Sequence, residues 1–421
     1  MTAMSTISYL DNQVDRVEEM TSIVSKDAKT IEQLTGLHDM ISDASLEAFA
    51  KNTSLYQMSF ESIGRQSRVP GWSFSFEGEA DRVGFLKRAW EMFKRFVRMI
   101  VENAQRVWNW IKGMYAKSDL RRKKLLDRLK ALQKTFTDLK TKSRTAQSVE
   151  IALGADQVVH FIIDLETPDH LGQAISDLTY VMRAYRTSRG LGAAIAVMNT
   201  LDDQSLKRVF GQAPDEVDIF AALSKSNRAN LDLVYGENWF KPHNPPKNIK
   251  LNQGDMEYPV EAIIGDRVVM YRSLRHATDA ETSIDQMNFG YRLVRQAGDA
   301  LELGTENSSI RFESIDEVLD VIKDTQDLLA ECANTATSMK EIERMVNRVT
   351  SLGAFMEGFR TGPNDQLPEN LRPFFQAMRA ITGVMNTVVA FQPAIFAHAV
   401  RTASAVTGLV EYTHKRMVSV T

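Results

Sequence analysis

A single stretch, from Phe85 to Arg144, constrains the fold more than any other part of the sequence. Its first half reads FLKRAWEMFKRFVRMIVENAQRVWNWIKGMYAK and repeats apolar residues every three or four positions, the period of one helical face. At about 1.5 Å per residue, an unbroken helix from Phe85 to Tyr115 would be on the order of 45 Å long. Ser118, followed by Asp119, predicts the N-cap of a second helix. The apolar positions of the first half are Leu86, Trp90, Phe93, Val97, Ile100, Ala104, Val107, Ile111 and Met114.

Charge separates this stretch from the rest of the chain. Residues 82–144 contain 19 Lys/Arg and 5 Asp/Glu, a net charge of +14, whereas residues 1–81 contain 6 and 13, a net charge of −7. Residues 145–421 carry −10, so the total of −3 hides three segments of different sign. A cationic helix of this kind can bind a polyanion, lie on a membrane, or neutralise acidic neighbours in its own chain. It can also be an ordinary surface helix whose Lys and Arg side chains are solvated.

The basic residues of both halves are the predicted polyanion-binding residues. On DNA they would contact phosphates without reading the sequence, and the affinity would fall steeply with salt. On a membrane, the neighbouring Trp90, Trp108 and Trp110 would enter the interface while the cations met anionic lipid heads. The predicted residues are Lys87, Arg88, Lys94, Arg95, Arg98, Arg106, Lys112, Arg121, Arg122, Lys123 and Lys124.

Composition and patterning predict a mainly α-helical protein with an elongated multi-helix body and a small β-hairpin insertion around residues 247–275. The hairpin signal consists of two short β-prone runs, 260–264 and 267–272, separated by Gly265 and Asp266. A run from Val158 to Ile163 is a candidate buried strand. The predicted domains are an acidic helical head at 1–77, the cationic helices at 78–145, and the helical body at 146–421.

Two features bear on the compartment. The N-terminal residues MTAMSTISYLDNQVDRVEEM lack a basic region followed by an apolar core, so we expect no secretory signal. Ile381–Val400 contains no Asp, Glu, Lys or Arg over twenty residues, a length that suits a membrane span. Because this segment also contains Gln392, Pro393 and His398, it favours a pair of buried helices interrupted near Pro393.

No pattern in the sequence predicts catalysis, a metal or a cofactor. The seven histidines include no pair at the i, i+4 spacing of a helical zinc site, and the single cysteine, Cys332, excludes an internal disulfide and any cysteine-rich zinc site. The run RGLGAAIAVM lacks the third glycine of a dinucleotide fingerprint. The acidic run DLETPDH at 164–170 is better explained as a solvated turn than as a cation site. We therefore expect a protein that is not an enzyme.

The order of these segments resembles that of a known group of structural proteins. An acidic helical head leads into a linker with a Ser-x-Glu site, then into a Trp-rich cationic helix of the VWNWIKG kind, and then into a long helical body. This layout resembles the internal head (inner-body or core) proteins of giant tailed phages of the phiKZ type, and the resemblance covers the first 145 residues best. It implies a virion structural protein inside the capsid, present in the host cytoplasm during assembly.

The resemblance also implies maturation by a prohead protease that cuts after Glu in a small-residue–x–Glu motif. Ser75-Phe76-Glu77 matches this motif within a stretch rich in Gly, Pro and Ser, where the chain is expected to be exposed to a protease. Ser59-Phe60-Glu61 and Ser45-Leu46-Glu47 match it as well. Residues 1–77 carry a net charge of −5, so their removal would uncover a basic N-terminal region. The predicted cleavage site is Ser75, Phe76 and Glu77.

The expected partners are other virion head proteins, the prohead protease, and packaged DNA bound non-specifically by the cationic segment, or the inner capsid surface. One alternative is a membrane-active or ejected helical protein that uses the same segment. Another is a helical scaffold or adaptor whose basic face docks on an acidic protein.

Overall fold

The longest described element contains the cationic stretch. In a computed structural model, the structure describes residues 82–142, 148–164, 166–200, 241–247, 257–272, 290–295, 308–337, 339–358 and 372–420, together with isolated residues between 16 and 63. Helix α1 (Arg82–Lys142) is one helix of 61 residues, about 90 Å long at 1.5 Å per residue.

The predicted break at Ser118 is wrong. Ser118 lies inside α1 and is buried, because its position falls on the face that packs against the core. Asp119 does not sit in a first turn but forms ion pairs with Arg122 at 2.8 Å and Lys123 at 2.9 Å, one turn further along the same helix. These i, i+3 and i, i+4 pairs stabilise a continuous helix at the place where the local sequence predicted a new one.

Two consecutive helices run antiparallel to α1 along one side. Helix α5 (Ile315–Thr337) and helix α6 (Met339–Gly358) pack against α1 with one continuous register. As the residue number decreases along α1, the residue number of the contacted partner increases along α5 and then along α6. These contacts are Lys140–Asp316, Gln133–Gln326, Lys112–Glu343 and Gln105–Thr350.

Helix α7 (Arg372–Val420) lies against α1 in the parallel direction. The contacts advance together along both helices: Tyr115 stacks on Phe396 with ring centroids 4.2 Å apart, and Phe136 meets His414 edge-on at 5.6 Å. Between these two contacts, Arg128 forms an ion pair with Glu411. Helix α1 is therefore packed against α5, α6 and α7, and these three helices also contact one another.

The predicted interruption near Pro393 is also wrong, because α7 continues through this residue. An interior proline removes one backbone hydrogen bond and costs a helix about 3 kcal/mol. All residues from Phe391 to Val400 are buried, so the packing of α7 on its neighbours offsets this cost. The Tyr115 hydroxyl donates to the carbonyl oxygen of Gln392 at 3.4 Å, next to the proline.

The β structure lies beside α7. Strands β2 (Glu257–Ile263) and β3 (Arg267–Arg272) form the predicted hairpin, and β4 (Gly290–Arg295) adds a third antiparallel strand. A bulge follows Pro259, which fits a residue that has no N–H for the ladder. Gly265 and Asp266 turn the hairpin with φ values of 92° and 53°, the left-handed region that Gly and Asp tolerate best.

The remaining elements complete a mainly α architecture. Strand β1 (Val149–Ala152) pairs antiparallel with β5 (Ser309–Phe312), and helix α3 (Leu171–Arg186) packs on α5. The short helix α2 (Ala155–Val158) and the turns after it replace the predicted strand from Val158 to Ile163, which is therefore wrong. Helix α4 (Arg189–Thr200) contains the RGLGAAIAVM run. The predicted fold class, mainly α with a small β insertion, is confirmed.

Residues 241–247 form a strap that closes the outer edge of β2. Asn244 accepts a hydrogen bond from the Ala262 backbone N–H at 2.8 Å, and the Glu261 carboxylate accepts the N–H groups of His243 and Asn244 at 2.7 Å each. The His243 ring stacks on Tyr180 of α3 with centroids 3.9 Å apart. The strap thus joins the sheet to α3.

Candidate polyanion-binding face and a buried ion-pair centre

The predicted cations of the first half of α1 are mostly engaged within the chain. Lys94 pairs with Glu91 at 2.9 Å, Lys112 with Glu343 at 3.3 Å, and Arg106 approaches Glu102 at 3.9 Å. Arg95 and Arg98 are exposed and have interactions of their own, and the side chains of Lys87 and Arg88 lie outside the described residues.

Two of the tryptophans of α1, Trp108 and Trp110, face the body. Trp108 is buried in the core and Trp110 packs against it half-buried, while the side chain of Trp90 is not among those described. The Lys112 ammonium lies 5.6 Å from the Trp108 ring centroid, a cation–π contact within the chain. The aromatic side of this helix therefore contributes to the core.

The second half of α1, like the first, has a side that faces solvent, but most lysines on that side form no ion pair with the described residues. Five lysines on this side are exposed, and together we call them the lysine face. Apart from Lys123, which pairs with Asp119, none of them forms an ion pair in the described part of the chain. From first to last they span about 30 Å of helix. The lysine face consists of Lys123, Lys124, Lys130, Lys134 and Lys142.

The sequence reasoning found two of these five lysines and missed Lys130, Lys134 and Lys142. The run LRRKKLLDRLKALQKTFTDLKTK places its apolar residues on the side that the structure buries, including Leu125, Leu129 and Phe136. The same helical period could have identified the lysines on the opposite, exposed side. Arg121 and Arg122, which the sequence also suggested, are half-buried instead.

A second cluster of charged groups is buried where the hairpin turn meets α7, and we call it the ion-pair centre. Arg401 donates from Nη1 to the Asp266 carboxylate at 2.9 Å and lies 2.9 Å from Nδ1 of His160 through Nη2. The Nε of Arg267 lies 3.8 Å from the same carboxylate. His398 contacts the Ile264 carbonyl oxygen through Nε2 at 2.7 Å. These five residues are at most 8% exposed.

The protonation states in the ion-pair centre follow from geometry. A guanidinium only donates hydrogen bonds, so Nδ1 of His160 must accept and the ring is neutral. Burial, together with the Arg401 charge, lowers the pKa of His160 to about 4 and the pKa of His398 to about 3. Burial alone would raise the pKa of Asp266, but the guanidinium groups of Arg401 and Arg267 hold it below its ordinary value.

The ion-pair centre links three segments of the fold. It joins residues from the turn after α2, the β2–β3 hairpin and α7, which are far apart in sequence. All five side chains are buried, so they are positioned to hold these three segments together. Within the described residues, no group of three or more His, Cys, Asp or Glu side chains is arranged to hold a metal ion.

The predicted cleavage site, Ser75, Phe76 and Glu77, lies outside the described residues. Within residues 1–77, the side chains of Leu34, Leu37, Tyr56 and Ile63 are described and are buried.

Comparisons of the chain with protein-family models, with curated proteins and with solved structures found no match. No helix among the described residues combines the length and apolarity that a membrane span requires.

Proposed function

We propose that this protein is a non-enzymatic structural protein of a phage head, packaged inside the capsid, where its lysine face binds DNA without sequence preference. The lysine face carries this proposal because it presents five exposed cations along one side of a rigid helix. Asp127 and Asp138 lie on the same side, which leaves a net charge of +3 there. The segment layout described above supports the placement in a virion, with other head proteins and the prohead protease as further partners.

A row of lysines on a helix suits the phosphate backbone. Lysine is a mobile point charge that neutralises phosphates without fixing a sequence register. The other side of α1 is packed on α5, α6 and α7, so the helix is held straight against the body without help from the ligand. Apart from the exposed Leu120, the large apolar and aromatic side chains that are described in α1 lie in that packed side, which favours a polyanion over a lipid surface.

The proposed DNA binding is tested by its salt dependence. Full-length protein is titrated onto a fluorescent duplex of arbitrary sequence between 50 and 300 mM NaCl. About four or five phosphate contacts give a slope of log Kobs against log[salt] of about −4. Replacing Lys124, Lys130, Lys134 and Lys142 by Gln, which keeps helix propensity, should reduce the slope to about −1, because only Lys123 of the lysine face remains.

A matched control removes four other cations of the same helix. Arg106, Lys112, Arg128 and Lys140 already face carboxylates of the chain, so changing them to Gln should leave most of the affinity and slope. Equal loss in both quadruple variants would mean that only net charge matters and would contradict the assignment to the lysine face. Absence of binding by the unchanged protein at 50 mM NaCl would remove the DNA proposal.

The virion assignment has its own test. Intact-mass analysis of protein recovered from purified virions should find this chain, beginning at Gly78. A chain that begins near Met1 would contradict cleavage after Glu77, and absence of the protein from the virion would contradict the assignment itself.

A further inference from the structure

Two aspartates lie among the lysines of the lysine face and alternate with them along the helix. Asp127 and Asp138 are exposed, and neither carboxylate forms an ion pair within the part of the chain that the structure describes. At 100° per residue, Lys123, Asp127, Lys134 and Asp138 fall within about 60° of one another around the helix axis. They form a stripe of alternating charge on the side of α1 that points away from the core.

The stripe is self-complementary about its centre. Asp127 and Lys134 lie equally far from the midpoint between Lys130 and Ala131, and so do Lys123 and Asp138. A second copy turned end for end about a twofold axis at this midpoint would therefore place every carboxylate opposite an ammonium. Twofold contacts of this kind are the commonest form of self-association in soluble proteins.

The surface next to the stripe fits close approach of two helices. Ala131 is an exposed small side chain at the centre of the stripe. Leu120 is 62% exposed on the same side, and the reversed copy would bring the methyl group of Thr141 to it. Each twofold contact occurs twice, so the arrangement unites four ion pairs at 127/134 and 123/138 with two apolar contacts.

We infer that two copies of this chain associate through antiparallel pairing of the second half of α1, with Asp127 facing Lys134 and Asp138 facing Lys123. Because this pairing occupies the lysine face, self-association and polyanion binding exclude each other. At high protein concentration the dimer would keep the lysine face covered, and DNA binding would dissociate the dimer. This inference uses the same exposed face as the proposed function, but it does not require DNA to be the ligand.

Sedimentation velocity of the full chain, at rising concentration in 20 and 500 mM NaCl, tests the pairing. We expect a reversible dimer at low salt and a monomer at high salt, because the pairs are exposed and screened. Asp127→Lys should weaken the dimer about tenfold or more, since two ion pairs become like-charge contacts. Asp127→Lys combined with Lys134→Glu exchanges the charges and should restore the dimer.

Two control variants separate this inference from DNA binding. Glu102→Lys makes the same charge change as Asp127→Lys on the other half of α1 and should leave the dimer intact. Lys124→Glu should weaken DNA binding yet preserve the dimer, because the position opposite it is the uncharged Thr137. A monomer under all conditions, or a charge exchange that fails to restore the dimer, would overturn the pairing. If the dimer is disproved but DNA binding still shows the predicted salt slope of about −4, the proposed function stands.

Discussion

The carboxylate of Asp266 is held in place by arginines from distant parts of the chain. Its carboxylate accepts from Arg401 at 2.9 Å and from the half-solvated Arg295 at 3.1 Å, with Arg267 beside it. Its own backbone lies in the left-handed region next to Gly265. The same residue therefore closes the hairpin turn and ties that turn to α7.

Asp266→Asn should destabilise the protein strongly. The variant removes a buried negative charge between the buried guanidinium groups of Arg401 and Arg267, and breaking one side of such a pair costs about 3–5 kcal/mol. The free energy of unfolding, measured by urea denaturation with circular dichroism, checks this. Arg128→Gln, which breaks an exposed pair with Glu411, should cost less than about 1 kcal/mol. Similar losses in both variants would contradict the structural weight given to the ion-pair centre.

Acid should destabilise the protein from about pH 6.5 downwards, before carboxylates titrate. His160 and His398 have pKa values of about 4 and about 3 in the folded chain, whereas unfolded histidines protonate near 6.5. The unfolded state therefore binds more protons between these limits, and each histidine lowers the free energy of unfolding by about 1.4 kcal/mol per pH unit. Asp266 does not contribute there, because its lowered pKa makes its stabilisation disappear only below about 3.8.

Urea unfolding at pH 7.5, 6 and 5 measures this slope. The double variant His160→Asn/His398→Asn should be less stable at pH 7.5 but nearly independent of pH down to 5. A wild-type stability that stays constant from pH 7.5 to 5 would be incompatible with neutral buried rings.

At the element scale, the crossing of α1 and α6 depends on one glycine. A Cβ added at Gly353 would lie 2.3 Å from Cγ2 of Val101, a stiff β-branched side chain that cannot swing away easily. Gly353→Ala should therefore destabilise the protein by about 1–3 kcal/mol, although alanine normally favours a helix. Thermal or urea unfolding measures the change.

Gly113→Ala is the matched control, because nothing lies within 4 Å of the added methyl group. That variant should stabilise the protein by about 0.5–1 kcal/mol. Val101→Ala should recover part of the loss in the Gly353 variant. If Gly353→Ala and Gly113→Ala shift stability in the same direction, the helices do not approach as closely as the structure places them.

The helices show which parts of the fold local sequence can predict. Apolar periodicity predicted the buried side of α1, and β-prone runs around Gly265 and Asp266 predicted the hairpin, because those signals depend on neighbouring residues. Local rules for capping and for proline failed at Ser118 and Pro393, where packing against distant helices outweighs a capping residue and a missing N–H. The partners of Asp266 could not be predicted either, since Arg401 lies 135 residues away.

The same distinction applies to the candidate site. Counting charges located the cationic helix, but only the packing partners separate cations that neutralise the body from cations that face solvent. Lys112 and Lys140 reach Glu343 and Asp316 on α6 and α5, whereas Lys130 and Lys134 turn away from both. Sequence alone carries no record of these long-range pairs.

At the scale of the whole molecule, α1 is the element that the body is assembled on. Helices α5, α6 and α7 each contact it, and they continue along it in fixed registers. Phe96, Val97, Leu129 and Phe136 of α1 are fully buried at both ends of this contact. The cationic segment, although distinct in composition, is therefore part of the same core as the helices that follow it.

A fragment beginning at residue 146 should consequently fail to fold. Removing α1 exposes the apolar sides of α5, α6 and α7, and each large side chain transferred back to water costs about 1.5–3 kcal/mol. A dozen such residues exceed the 5–15 kcal/mol by which a native protein is stable. We expect residues 146–421 alone to show no cooperative thermal transition by circular dichroism and to bind a hydrophobic dye. Co-expression with a separate 78–145 chain should restore the transition, because the lost contacts are supplied in trans. A cooperative transition of the fragment alone would instead establish 146–421 as an autonomous domain, with the basic helix as an appendage to it.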